Sequence, residues 1–293
     1  MASLKDIRVR IDSTKNTQQI TKAMKLVSAA KLRRAQNQIV NMRPYATTLI
    51  KVIADIATTN RVSHPLMEPP TETKKVLLVV LTSDRGLCGA FNSNINKFAD
   101  AYFNAHKKSL EKLDFLFIGR RANDYFARRG VGPIDTIFKL DKDISYALAS
   151  KVAERLMKDY LDGQYDEIRL IYNEFKSAIS QEVVSERLLP IDVSNNTFTG
   201  AEAKTAFSAD MIYEPSPEKI IDQLLVKAFS VQVYRCMSES VAAEHGARMS
   251  AMESATNNAK EMISKLTLTY NKLRQEKITT ELTEIVSGAE SLK

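Results

Sequence analysis

At 293 residues, 44% of them hydrophobic, the chain is long enough to bury a sizeable core. Two cysteines, Cys88 and Cys236, exclude a disulfide framework, and with no CxxC or paired-His spacing they support no zinc site. No run nears the roughly 18 apolar residues of a membrane span, and MASLKDIRVRID lacks a signal-like apolar segment, so a soluble intracellular protein with net charge +7 is expected.

From Ala2 to Arg43 there is neither glycine nor proline, which predicts a helix about 63 Å long. Leu4, Ile7 and Ile11 form its apolar stripe, and Ile20, Met24 and Val27 resume that stripe in a shifted register. The intervening DSTKNTQQ (12–19) is polar, so the seam is expected to loosen there. Residues 1–43 carry ten Lys or Arg against two acids, Asp6 and Asp12, which leaves the rest of the chain nearly neutral. Such a segment suits nucleic acid, an anionic membrane face or an acidic protein partner. The absence of an aromatic residue before Tyr45, and the need for the stripe in packing, argue against nucleic acid.

Seven of the nine glycines lie between residues 74 and 213, where strands and helices alternate. Strands are expected at 74–83, 113–119, 165–175 and 181–191, the last two as a hairpin. Helices are expected at 92–112 and 143–161, with a short one in RRANDYFARRG, and 192–210 reads as loop. The pattern implies a Rossmann-like α/β domain with a largely parallel sheet. After its first strand comes SDRGLCGAFN (83–92). Its Gly86-x-x-Gly89 spacing matches neither GxGxxG nor a P-loop, and no Lys or Ser/Thr follows to meet phosphate and magnesium. Gly86 and Gly89 therefore read as a tight strand-to-helix turn, with Asp84 and Asn92 capping local backbone. Cys88 has no base among His64, His106 and His245 in a suggestive context. The carboxylate pairs Asp141/Asp143 and Glu281/Glu284 read as solvated or partner-facing charge. No catalytic, cofactor-binding or metal-binding residue emerges.

From Pro217 to Ser287 a second helix would extend about 105 Å, twice the roughly 50 Å diameter of a compact globule of this size. Ser216 reads as its N-cap, Pro217 as its first position and Glu218 as first-turn acid. Met252, Ala255, Ala259, Met262, Leu266, Tyr270 and Leu273 trace a seam close to a coiled coil. One helix enters the middle region and the other leaves it, so the two should pair antiparallel. A homodimeric coiled coil is the competing arrangement. Three parts follow: 1–73 (N-terminal helix and connection), 74–213 (α/β domain) and 214–293 (C-terminal helix).

Three stretches carry a family resemblance: IRVRIDSTKNTQQITKAMKLVSAAKLRRAQ (7–36), SDRGLCGAFNSNI (83–95) and YNKLRQEKITTELTEIVSGAES (270–291). Together they strongly resemble the gamma-subunit family of F-type ATP synthases, and the C-terminal pattern Ile278-Thr279-x-Glu281-x-x-Glu284-x-x-x-Gly288-Ala289-x-Ser291 is met at every specified position. The resemblance implies a non-catalytic rotor shaft standing in a ring of three alpha and three beta subunits, its far tip turning in an apolar sleeve. It implies contacts with the epsilon subunit and the c ring, with no nucleic acid, cofactor or small-molecule substrate. The family's torque-related contacts map onto Met24, Arg248, Gln275, Thr279, Glu281 and Glu284. Glu253 departs from the basic residue relatives often carry, and the chloroplast regulatory insert is missing. A bacterial chain is expected, peripheral on the cytoplasmic side of the inner membrane. A coiled-coil scaffold with an α/β head is the alternative.

Overall fold

The computed structural model describes residues 3–59, 64–137, 144–177, 180–191, 214 and 216–290. The loop expected at 192–210 and the pair Asp141/Asp143 lie outside them. Among the described residues the elements run in order α1 (Leu4–Thr59), β1 (Lys75–Leu81), α2 (Phe91–His106), β2 (Lys112–Ile118), α3 (Arg120–Ala127), β3 (Asp135–Ile137), α4 (Tyr146–Leu161), β4 (Glu167–Phe175), β5 (Gln181–Leu189) and α5 (Pro217–Glu290). They divide into two compact units, Ala29–Ala247 and a second made of Met1–Ser28 with Arg248–Lys293. The divisions thus fall inside α1 and α5.

The larger unit is built on a five-stranded sheet of order β3-β2-β1-β4-β5. β1 pairs parallel with β2 and β4, β2 parallel with β3, and β4 antiparallel with β5. β1 has no polar side chain between Val76 and Leu81 and is buried along that whole run, as a central strand covered on both faces must be. Its side chains alternate between two cores. Leu77, Val79 and Leu81 pack with α4 and with the parts of α1 and α5 in this unit. Val76, Leu78 and Val80 pack with α2, α3 and the rings of Phe115, Phe117 and Phe126. The short β3 was not anticipated, because three residues at an edge carry too little pattern. α2 ends at His106 rather than at 112, where the chain turns into β2.

α1 does not stop before Pro44; it continues to Thr59. A mid-helix proline costs about 3 kcal/mol. Pro44 lies on the exposed side, while Ala46, Leu49, Ile53 and Ile56 on the other side are each 7% exposed or less. Burying each large apolar side chain returns about 1.5–3 kcal/mol, so packing outweighs the break. At the other end of α1, Ser3 and Asp6 form a reciprocal capping box, with Ser3 N donating to Asp6 Oδ2 at 3.0 Å and Asp6 N to Ser3 Oγ at 3.2 Å. α5 starts where Ser216 predicts: its carbonyl accepts from Ile220 N at 3.1 Å, and its hydroxyl from Lys219 N at 3.4 Å.

In the smaller unit α1 and α5 are antiparallel. Thr256 Oγ1 meets Thr21 Oγ1 at 2.8 Å, and one turn away Lys25 Nζ meets Glu253 Oε1 at 2.6 Å. The burial pattern corrects the expected seam. Along α1 the positions Leu4, Ile7, Ile11, Thr14, Gln18, Thr21, Lys25 and Ser28 are withdrawn in unbroken alternate steps of three and four, and the expected Met24 is half-buried beside them. Ile20 and Val27, expected in the seam, are 60% and 58% exposed. Along α5 the same alternation is Met252, Thr256, Ala259, Ile263, Leu266, Tyr270 and Leu273, whereas Met262 is 55% exposed. A strict seven-residue repeat keeps one face toward the partner through a left-handed supercoil. The helices hold that repeat by accepting polar layers rather than changing register. Thr14 and Thr21 donate to carbonyls of their own helix at 2.8 and 3.1 Å, and the single Thr256 hydroxyl proton serves either Met252 O at 2.7 Å or Thr21 Oγ1 at 2.8 Å.

Candidate functional site

The loop after β1 sits at the carboxyl ends of parallel strands, where α/β sheets commonly bind ligands. Gly89 has φ 57° and makes the turn into α2, as its spacing suggested. Gly86 does not share that conformation; a Cβ there would lie 3.0 Å from Arg121 Nη2, a flexible side-chain end. The turn depends more on Gly119, which the sequence did not single out. It has φ 105°, and a Cβ there would lie 2.1 Å from the Thr82 carbonyl oxygen, so only glycine lets β2 pass β1 at that distance. Leu87 also takes a positive φ, 63°, and is 63% exposed.

The hydrogen bonds of the loop are turned inward. Asn92 Oδ1 accepts from Ser83 N at 3.0 Å, the local cap expected of it. Asp84 caps a different segment: its Oδ1 accepts from Arg120 N, the first residue of α3, at 2.9 Å. Arg121 N donates to Ser83 O at 3.1 Å and Ala122 N to Thr82 Oγ1 at 3.0 Å. The first-turn amides of α3 that could otherwise greet a phosphate are taken by the protein's own oxygens. Cys88 is 2% exposed, and its Sγ accepts from Asn92 Nδ2 at 3.1 Å. His64 contacts Leu66 N and Asp222, and His106 stacks on Tyr102. These are structural engagements, and this loop holds a fold together. Among the described residues no group of three or more His, Cys, Asp or Glu is placed to hold a metal ion.

The six residues expected to face partners fall on the two long helices. Met24 is half-buried beside the seam, and Arg248 is 8% exposed. Gln275, Thr279, Glu281 and Glu284 are exposed, in a part of α5 where every residue from 274 to 289 is exposed. Local bonds there run along the helix: Thr279 Oγ1 donates to Gln275 O at 3.0 Å, and Lys277 lies 3.7 Å from Glu281. Exposed apolar side chains were missed as a class. They include Val9, Ile20, Leu26 and Val27 on α1 and Ile278, Leu282, Ile285 and Val286 on α5, all at least 50% exposed. Their signal is in the sequence once the strict repeat is applied, because none falls on it.

The sequence model of a family described as ATP synthase matches residues 3–292. The ATP synthase gamma chain of Bdellovibrio bacteriovorus is 75% identical, with both chains covered completely. A chain from the central stalk and c-ring structure of the Tetrahymena thermophila mitochondrial ATP synthase aligns with a TM-score of 0.60 at 27% identity, covering 80% of this chain and 99% of that one. A chain from the Euglena gracilis mitochondrial assembly of OSCP, F1 and c-ring shares the fold with a TM-score of 0.68 at 21% identity, covering 99% and 94%.

Proposed function

Because the chain belongs to the gamma-subunit family of F-type ATP synthases, we propose that it is the shaft coupling rotation of a membrane c ring to conformational cycling of catalytic sites on an alpha/beta hexamer. The observation that carries this is the helical pair of the smaller unit, where two antiparallel helices share one uninterrupted seam and α5 continues from 274 to 290 beyond the last α1 layer. A two-stranded supercoil resists twisting, and its continuation offers one strand for a bearing. Met24, Arg248, Gln275, Thr279, Glu281 and Glu284 are its contacts with alpha and beta, Arg248 offering the least surface. One copy serves three alpha and three beta subunits, and epsilon and the c ring take the opposite end. The protein is peripheral on the cytoplasmic face of the inner membrane. No described helix is long and apolar enough to cross a membrane. Lys31, Arg33 and Arg34 attract acidic loops of beta.

The test is co-expression with alpha and beta subunits, scoring complex stoichiometry and ATPase turnover with and without this chain. One copy per hexamer, raised turnover in the complex and no activity alone are expected. Assembly without a change in turnover would favour a scaffold, and activity of the lone chain would overturn the proposal. Neutralising Lys31, Arg33 and Arg34 together should weaken assembly; unchanged assembly would refute their electrostatic role.

A further inference from the structure

Within the larger unit α5 carries a buried ionic cluster that the loop, the seam and the partner contacts leave unused. Arg235, Glu186 and Glu239 have side chains 11%, 12% and 15% exposed. Arg235 Nη2 donates to Glu186 Oε1 and Oε2 at 2.5 and 2.7 Å, reaching from α5 to β5. Its Nη1 donates to both oxygens of Glu239, one helical turn on, at 3.2 and 3.3 Å. Gln232 Nε2 adds a bond to Glu186 Oε1 at 3.0 Å. From β4, Tyr172 Oη lies 2.9 Å from Glu186 Oε2 and 3.2 Å from Glu239 Oε2.

A phenol has one hydrogen to give. Donated along the shorter contact to Glu186, it leaves the contact with Glu239 short of a proton, which a neutral Glu239 carboxyl would supply. The cluster then holds one cation, one anion and a hydrogen-bonded relay from Glu239 through Tyr172 to Glu186. We propose that this cluster is the joint fixing α5 to the β4–β5 edge of the sheet in one rotational setting, with Arg235 and Glu186 as positioning residues and Glu239 holding the proton. The proposal rests on the shaft reading for its purpose, since a shaft whose helix slips against its own domain transmits no torque. Directional bonds add to the resistance that the close-packed apolar side chains of α5 already offer to such slip.

Burial raises the Glu239 carboxyl, with Arg235 and the Tyr172 hydrogen bond opposing and Glu174 adding to the rise. At Glu186 burial also works against ionisation, but Arg235, Gln232 and Tyr172 outweigh it and the net direction is down. The groups facing Glu239 are Arg235 and the buried Cys236 thiol on its own helix and Tyr172 and Glu174 on β4, with Glu186 on β5 bridged through Arg235 and Tyr172. Lys176 is paired with Glu174 at 2.9 Å.

The test uses the full chain, alone and assembled in the synthase. Arg235→Met should raise hydrogen exchange at the β5 amides by at least about tenfold, because a buried pair that loses one partner loosens its surroundings. In membranes it should keep ATP hydrolysis while losing ATP-driven proton pumping per ATP consumed. Glu186→Gln should behave like Arg235→Met, whereas Glu239→Gln, which mimics the neutral acid, should retain wild-type protection of β5. A triple apolar variant (Arg235→Met, Glu186→Leu, Glu239→Leu) should recover β5 protection and still pump poorly. Wild-type pumping by the triple variant, or unchanged exchange in Arg235→Met, overturns the joint; equal effects of Glu186→Gln and Glu239→Gln overturn the proton assignment. If hydrolysis by the wild-type complex proves independent of this chain, the shaft reading fails, and the exchange measurement still decides whether the joint exists.

Discussion

Ile11 and Ile20 lie on the same face-forming helix nine residues apart, and a pattern reading that lets the stripe shift register would bury both. The structure buries Ile11 to 9% exposure and leaves Ile20 at 60%. Extending the Thr21–Thr256 layer toward the N-terminus of α1 sets Gln18 against Ala259, Thr14 against Ile263, Ile11 against Leu266, Ile7 against Tyr270 and Leu4 against Leu273. Ile11→Ala removes three buried carbons, about 2.4 kcal/mol at about 0.8 kcal/mol each. In a two-helix unit water can reach the gap, so the cavity contribution is small and the cost sits near the lower end of the about 2–5 kcal/mol seen for such truncations. Ile20→Ala should cost no more than about 0.5 kcal/mol, as surface substitutions do. The difference of about 2 kcal/mol is roughly a thirtyfold change in the open population of this unit. Native-state hydrogen exchange on amides of residues 4–28 and 252–273 reads it directly. Equal losses from the two variants would refute the unbroken repeat and restore the shifted register.

Three further outcomes follow from other contacts. Lys25 and Glu253 are partly exposed, at 35% and 52%, so either single neutralisation should cost about 0.2–1 kcal/mol, fading in high salt. The double swap Lys25→Glu with Glu253→Lys should recover most of that cost in chemical denaturation. Gly119→Ala must place a Cβ against the Thr82 carbonyl at a positive φ and should cost at least about 2 kcal/mol, whereas Gly132→Ala meets nothing within 4 Å and should be neutral by thermal unfolding. In a pH series Glu186, lowered in the fold, contributes stability that is present above its ordinary value of 4.5 and lost as pH falls through its folded value. Glu239, raised in the fold, acts oppositely: stability falls as pH rises from 4.5 through its folded value, and Glu239→Gln should flatten that limb of the curve.

Much of this was legible from residue types and spacing. The strand cores, the β4–β5 hairpin, the Ser216 cap and the absence of a phosphate motif after β1 each rest on local chemistry, which a sequence displays. The misses share one cause, that burial elsewhere overrides a local signal. Pro44 is a helix breaker in isolation, but the apolar side chains of Ala46, Leu49, Ile53 and Ile56 hold the helix together past it. DSTKNTQQ reads as a loosened seam because apolar periodicity cannot see threonines that spend their hydroxyls on their own helix. Gly119 reads in the sequence as the end of a strand, since its close approach to Thr82 comes from a residue 37 positions earlier. The Arg235 cluster joins β4, β5 and α5, and only the tertiary fold brings those charges to one place.

The seam of α5 also bears on its last segment, which is exposed from 274 to 289. Continued past Leu273 in the same alternating steps, it falls on Lys277, Thr280, Glu284 and Ser287, all polar. The apolar positions Ile278, Leu282, Ile285 and Val286 lie off it. A slip of α1 by one heptad would therefore set Ile7 against Lys277 and Leu4 against Thr280, giving up apolar layers for charged and polar ones. Register is thus specified against the nearest alternative, and the change to polar residues coincides with the end of α1. The exposed apolar residues beyond cannot be remnants of an intramolecular seam, because they occupy a different face of the helix. Four apolar side chains at 50–67% exposure within nine residues favour a surface that another chain covers, which supports the bearing end of the proposed shaft. Replacing Leu282 and Ile285 together by serine should leave the layers up to Leu273 protected from exchange while weakening assembly with the alpha/beta hexamer; lost protection of those layers would place the two residues in the seam after all.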